Sequence, residues 1–148
     1  MSGEVKIERP SFALICMDVA RSLARRSTCA RLHVGAFAVS TDYRQQFAWG
    51  YNGGPSGQRN ECKSHVAGQC MHLHAEVNMI CNARNASRTD LKFVFVTDLP
   101  CEMCSIAMVN WGGVVRVVYD RDYRLREGEE VLRAAGIQVE KFDAEKTR

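Results

Sequence analysis

No apolar run in this chain is long enough to cross a bilayer as a helix, and there is no internal repeat, low-complexity tract or linker that would divide it. The opening stretch, Met1 to Pro10, is polar and lacks the apolar segment of a signal peptide, so a cytoplasmic protein with no membrane partner is expected. Charge of one sign is also missing. Twenty basic against seventeen acidic residues give a net +3, which tolerates an anionic small molecule without implying a nucleic-acid surface. What remains is an ordinary globular composition over 148 residues, read as one domain, residues 1–148, with enough chain for a real core.

Cysteine is the exception to this plainness. Seven are present, and an odd number in a reducing compartment points to metal ligands or core thiols before disulfides. Cys16 and Cys81 fall in apolar helical patterns and read as buried, inert thiols. Cys29, Cys62 and Cys70 lie in polar connecting segments near His65 and His72, where they could form a metal site.

The remaining pair carries the chemistry. His74-Ala75-Glu76 and Pro100-Cys101-Glu102-Met103-Cys104 together make H-x-E…P-C-x-x-C, a pattern that serves zinc-dependent deamination of nucleobases. His74, Cys101 and Cys104 supply three donors and leave the fourth tetrahedral position to water, as a catalytic zinc requires. Two thiolates and a neutral imidazole cancel the metal's charge, so that water needs a nearby base, and Glu76 is the candidate proton shuttle. Cys101 and Cys104 share a face if they open a helix, Pro100 suits a helix start, and a helix N-terminus favours thiolate. The competing reading is a structural zinc with a fourth protein ligand and a merely solvated Glu76.

Around these motifs the pattern alternates strand and helix. Ser11 is a plausible N-cap for a helix carrying Phe12, Ile15, Cys16, Val19 and Leu23. Val34 to Val39 and Gln46 to Tyr51 read as a hairpin about Ser40 to Arg44. Asn52 to Leu73 is too long for a simple connection and reads as functional or metal-stapled. A helix starts at His74, strands follow at Leu91 to Thr97 and Val114 to Tyr119, and a helical stretch around Glu129 leads to Ile137 to Phe142. That last connection is long enough for a crossover, so the final two strands should be parallel. Ala144 to Arg148 reads as a frayed tail.

Arg26-Ser27-Thr28-Cys29 with Val34-Gly35-Ala36, Gly50-Tyr51-Asn52-Gly53 with Pro55 and Gly57, His74-Ala75-Glu76 with Asn78, and Pro100 through Cys104 occur in the order seen in deoxycytidylate deaminases of the cytidine deaminase-like superfamily. The chain resembles that family. The resemblance implies a three-layer α/β/α fold with a mixed five-stranded sheet, zinc on His74, Cys101 and Cys104, and conversion of dCMP to dUMP and ammonia. It suggests Asn52 as a sugar or base ligand, carbonyls at Leu99-Pro100 for the exocyclic amine, and a nucleotide site that includes Ala75 and Asn78. Phosphate binding falls to Arg31 with His33, or to Tyr123 with Arg124. A second, structural zinc on Cys29, Cys62, Cys70 and His72 (or His65), dCTP and dTTP effectors, and a homo-oligomer of two or six chains are further implications.

Phe37 departs from the family, which has a small aliphatic residue there, and could reshape the wall of the base pocket. The Asn52-to-His74 segment is shorter than in many relatives. Trp49 and Trp111 read as core or interface residues. Other readings are deamination of a modified cytosine nucleotide, free cytosine, guanine or a tRNA adenosine, and an inactive zinc-stapled binding protein. The Gly-Tyr-Asn-Gly segment argues against free cytosine, guanine and tRNA adenosine, and the retained Glu76 against the inactive protein; a modified cytosine nucleotide stays open.

Overall fold

In the computed structural model residues 3–148 are described; Met1 and Ser2, the start of the polar opening stretch, lie outside the described residues. The elements are α1 (Phe12–Ala24), β1 (Gly35–Ser40), β2 (Gln46–Tyr51), α2 (Ala75–Asn82), β3 (Lys92–Asp98), α3 (Glu102–Trp111), β4 (Val114–Arg121), α4 (Glu127–Ala134) and β5 (Gln138–Lys141). They form one five-stranded sheet in the order β2-β1-β3-β4-β5. β1 runs antiparallel to β2 and β3, whereas β3, β4 and β5 are mutually parallel. The mixed sheet and its parallel last two strands agree with expectation.

Alternation along the strands sorts side chains onto two faces. Ala36, Ala38, Val94, Val96 and Val117 meet Ala75 and Met79 of α2, Met108 of α3 and Leu132 of α4. Phe37, Val39, Phe95 and Val118 face the other way, onto Ala13, Cys16, Met17 and Ala20 of α1. Phe37 therefore belongs to the layer under α1, on the side of the sheet away from α2 and α3. The expectation that it reshapes the base pocket is corrected: a one-residue step from Ala36 turns its ring to the opposite face.

Ser11 caps α1 as expected, its Oγ accepting the Leu14 N–H at 3.1 Å. Of the large residues that mark α1, Cys16 is buried and Val19 and Leu23 pack against the same cluster, but Phe12 and Ile15 are exposed while Ala13, Ala20 and Ala24 are buried. Close approach to β1 explains this. A Cβ on Gly35 would lie 1.9 Å from the Ala20 carbonyl oxygen, so only small residues fit between helix and strand. Phe12 instead stacks on Tyr43.

Two further expectations are overturned. Cys81 lies on the solvent side of α2 and is exposed, whereas Cys16 is buried. The C-terminal stretch is tied down, with Thr147 fully buried and its Oγ1 accepting the Asp143 N–H at 2.9 Å. Tyr43 Oη and Arg116 Nη1 each donate to the Arg148 carbonyl at 3.0 Å.

Candidate active site

Both metal-binding motifs open helices. His74 is the N-cap of α2 and Cys101 the N-cap of α3, each with extended backbone and a side chain that makes no capping bond. Ser, Thr, Asp or Asn at such a position would spend its side chain on the helix. Here the imidazole and the thiol are left free, while unpaired N–H groups in both first turns hold positive potential at the same place.

The free groups converge. His74 Nδ1 lies 3.5 Å from Cys101 Sγ and 3.4 Å from Cys104 Sγ. A tetrahedral zinc with its usual Zn–S and Zn–N bonds has a sulfur-to-nitrogen edge of about 3.5 Å, so the donor set is spaced for that ion. Among the described residues no fourth His, Cys, Asp or Glu joins this cluster. Cys101 is held far below the ordinary thiol range, to about 4, first by the hydrogen bond from Cys104 and then by that from His74. The Cys104 proton is held up in turn, because it serves that bond.

Glu76, in the first turn of α2, is 4 % exposed. Burial pushes its carboxyl up to about 7, and the Cys104 thiol lies within hydrogen-bonding reach. A carboxyl group so placed can take and return a proton near neutral pH.

A cavity of about 700 Å³ opens over this cluster, walled by Leu32, Val34, Asn52, Leu73, Ala75, Asp98, Leu99 and Tyr123 as well as by Glu76 and Cys101. Of the expected substrate-binding residues, Arg31, Asn52, Ala75, Asn78 and Tyr123 all line it. Pro100 does not, and its carbonyl abuts Gly128 of α4, where a Cβ would come within 2.1 Å of the oxygen. His33 is also off the cavity. The two amides have backbone duties that spacing did not reveal. Asn52 Oδ1 accepts the Val34 N–H at 2.8 Å and its Nδ2 donates to the Leu32 carbonyl at 2.7 Å. Asn78 Nδ2 donates to the Tyr51 carbonyl at 2.9 Å. Asn52 still has one hydrogen and one lone pair to offer a ligand, whereas Asn78, whose Nδ2 also donates to the Leu73 carbonyl at 3.5 Å, offers its Oδ1.

Arg31 borders the cavity with no carboxylate partner among the described residues, and Arg124 sits over the Tyr123 ring at 5.7 Å. Trp111 is half-buried against the core, whereas Trp49 is exposed and stacked on Tyr51.

Cys29, Cys62 and His72 bring donor atoms within 4.8 Å of one another, and Cys29 and His72 also line the cavity. Cys70 lies beside Cys62, which is held below the usual thiol range first by the backbone at Ala30. His65 is exposed and stands apart. His72 Nδ1 is buried without a partner, an expense that a bound cation would remove. The excursion 54–72, which carries Cys62, Cys70 and His72, is pinched at its base, where Gly53 and Leu73 exchange backbone hydrogen bonds at 3.1 and 2.9 Å.

Asp98 was not singled out by sequence. It ends β3 three residues before Cys101, is 6 % exposed and lines the cavity. Its Oδ2 accepts from Arg121 Nη2 at 2.8 Å and from Thr97 Oγ1 at 3.3 Å. An acidic residue closing an otherwise apolar strand was the available signal.

A mixed α/β sheet with a two-helix, three-donor cluster at its strand ends is the arrangement that the motifs led one to expect of the cytidine deaminase-like superfamily. The chain belongs to the family described as the cytidine and deoxycytidylate deaminase zinc-binding region, whose profile matches residues 11–121. It is 29 % identical over 147 residues to the deoxycytidylate deaminase of Schizosaccharomyces pombe, covering 90 % of this chain but 45 % of the yeast protein. ComE operon protein 2 of Bacillus subtilis is 32 % identical over 143 residues, covering 93 % of this chain and 74 % of that one. The dCMP deaminase of cyanophage S-TIM5, solved in complex with dCMP and dUMP, superposes with a TM-score of 0.78 at 32 % identity, covering 92 % of this chain and all of the phage chain. This chain thus spans about half the length of the yeast relative.

Proposed function

We propose that this protein hydrolyses the amine of a cytosine deoxynucleotide, converting dCMP and water to dUMP and ammonia, with residues 1–148 acting as a single deaminase domain. The observation that carries this reading is the buried Glu76 carboxylate beside a three-donor cluster to which, among the described residues, no fourth side chain contributes. The relation to a phage enzyme seen with dCMP and dUMP favours that substrate over free bases or tRNA.

His74, Cys101 and Cys104 would hold zinc, which supplies a Lewis acid that makes water nucleophilic near neutral pH. Glu76 takes a proton from the attacking water and passes it to the ring nitrogen next to the reacting carbon. The carbon–amine bond then breaks, Glu76 delivers the second proton, and ammonia leaves. Leu99, on the cavity wall, offers a carbonyl to the departing amine, while Leu32 and Val34 exclude water from the base. Arg31 and Tyr123 take the phosphate at the rim, a role suited to a guanidinium without a carboxylate partner among the described residues. A second zinc, structural and held by Cys29, Cys62, Cys70 and His72, belongs to the same reading, supported by the donor spacing of Cys29, Cys62 and His72, a cluster that does not include Cys70, and by the orphaned His72 nitrogen. Assembly into dimers or hexamers, control by dCTP and dTTP, and a cytoplasmic location complete it; no helix among the described residues is long and apolar enough to cross a membrane.

The test is a panel of cytosine, adenine and guanine bases, nucleosides and nucleotides offered to the zinc-loaded protein, with ammonia release as readout. dCMP should be the best substrate. Glu76→Ala should keep its zinc and lose about 10²- to 10⁴-fold in kcat. A variant with undiminished turnover would refute the shuttle.

A further inference from the structure

The deaminase reading accounts for Glu76, the three donors and the cationic rim, and leaves one buried charge on the cavity wall unused. Asp98 presents two carboxylate oxygens with different fates. Oδ2 is committed to Arg121 and Thr97, and Arg121 Nη2 also donates to the His33 carbonyl at 3.1 Å. Among the described residues nothing donates to Oδ1, and it is not among the buried polar atoms left without a partner, so it keeps some exposure in a residue that lines the cavity.

The surroundings keep this oxygen in one place. Asp98 pairs across the sheet with Arg121 at the parallel β3–β4 edge. Thr97 Oγ1, which donates to Asp98, also accepts the Gly35 N–H at 3.1 Å. With the ion pair fixing Oδ2, the side chain cannot swing out to solvent without leaving Arg121 and Thr97.

An ionised carboxylate is an acceptor only, so a ligand satisfies it with a donor. A cytosine nucleotide has few. The exocyclic amine is attached to the carbon under attack and belongs beside Glu76 and the His74, Cys101 and Cys104 donors. The phosphate is repelled from Asp98 and drawn to Arg31. Hydroxyl groups remain. We propose that Asp98 is a specificity-determining residue that accepts a hydrogen bond through Oδ1 from a hydroxyl group of the bound nucleotide. The proposal rests on the deaminase reading above. One hydroxyl is the sugar 3′-OH; the other is a hydroxymethyl group at ring carbon 5 of a modified cytosine.

The experiment compares kcat/KM on three substrates, dCMP, its 3′-deoxy analogue and 5-hydroxymethyl-dCMP, for the zinc-loaded wild type and for Asp98→Ala, Asp98→Asn and Arg121→Ala. Reading of the sugar predicts that wild type prefers dCMP over the 3′-deoxy analogue by about 10- to 100-fold, the scale of a charge-assisted hydrogen bond. Reading of the base predicts a similar preference for the hydroxymethyl substrate over dCMP. In either case Asp98→Ala brings that ratio close to one, Asp98→Asn retains part of it, and Arg121→Ala, which keeps the carboxylate but removes the ion pair that fixes it, falls between Asp98→Ala and wild type. If Asp98→Ala does not fold, the fall of the ratio in Asp98→Asn decides. A merely structural Asp98 would lower turnover on all three substrates alike, leave the ratios unchanged and be matched by Arg121→Ala, and any of these results overturns the proposal. A wild type that deaminates no nucleotide refutes the deaminase reading itself, a distinct outcome.

Discussion

Lys92 shows how far a single residue can depart from what its letter suggests. It begins a strand that reads as buried and apolar, and an isolated lysine there passes as an edge residue with its ammonium in water. The side chain is instead fully buried, and its Nζ donates to the carbonyls of Ser87, Asp90 and Gly112 at 2.7, 2.6 and 2.9 Å. Trp111 covers it at 4.8 Å. The ammonium thus ties the loop before β3 to the C-terminal end of α3, where carbonyls have no helical partner. Lys92→Met keeps the volume and leaves these acceptors facing an apolar side chain, at a cost of about 3 kcal/mol. Urea unfolding of the zinc-loaded protein should show that loss with kcat/KM unaltered, since Lys92 and the Asp98 end of β3 lie at opposite ends of the strand. An unchanged midpoint would mean that water replaces the ammonium at no cost.

At the scale of elements, the pattern revealed more than at the scale of residues. The strands fell within one or two residues of their expected bounds because alternation and β-branching are local signals. The catalytic donors were legible because both motifs sit at helix starts, where a few residues fix the geometry. What the pattern could not reveal was how closely elements approach. Phe12 and Ile15 carry the helical repeat of α1 and are nevertheless exposed, because contact with Gly35 selects alanine. Cys81 was expected inside because α2 is short and apolar on more than one side. Gly128 has the same hidden role at the active site. It is buried in α4, and a Cβ there would lie 2.1 Å from the Pro100 oxygen and 2.8 Å from the Cys101 carbonyl carbon. These are backbone atoms at the start of α3 and cannot swing aside. Gly128→Ala should therefore displace the Cys101–Cys104 turn and weaken zinc binding by about 10- to 100-fold, the range typical of outer-shell changes at metal sites. Competition with a chromophoric chelator measures this. Unaltered affinity in a less stable protein would show that α4 yields and α3 does not.

Across the whole molecule, the two donor clusters play unequal parts. His74, Cys101 and Cys104 stand on helices anchored in the core beneath the sheet, so their arrangement survives on packing alone. Cys62, Cys70 and His72 belong to the excursion from Asn52 to Leu73, in which residues 54–61 are all exposed. Apart from the Gly53–Leu73 pair at its base and internal turns, this segment is joined to the body chiefly through the cluster with Cys29. A segment with so little buried apolar surface opens at low free energy unless a metal closes it. Arg59 and Lys63 are exposed within it and report its opening to trypsin. The zinc-loaded wild type should resist cleavage at these two sites, and Cys62→Ser should be cut there at least tenfold faster, as mass spectrometry of the fragments would show. Cys104→Ser, which disables only the catalytic cluster, should protect them as the wild type does. If Cys62→Ser were as resistant as wild type, the excursion would hold itself and the second zinc would have no structural work to do. If Cys104→Ser opened the same sites, the two clusters would be one cooperative unit, with the excursion held through the catalytic donors.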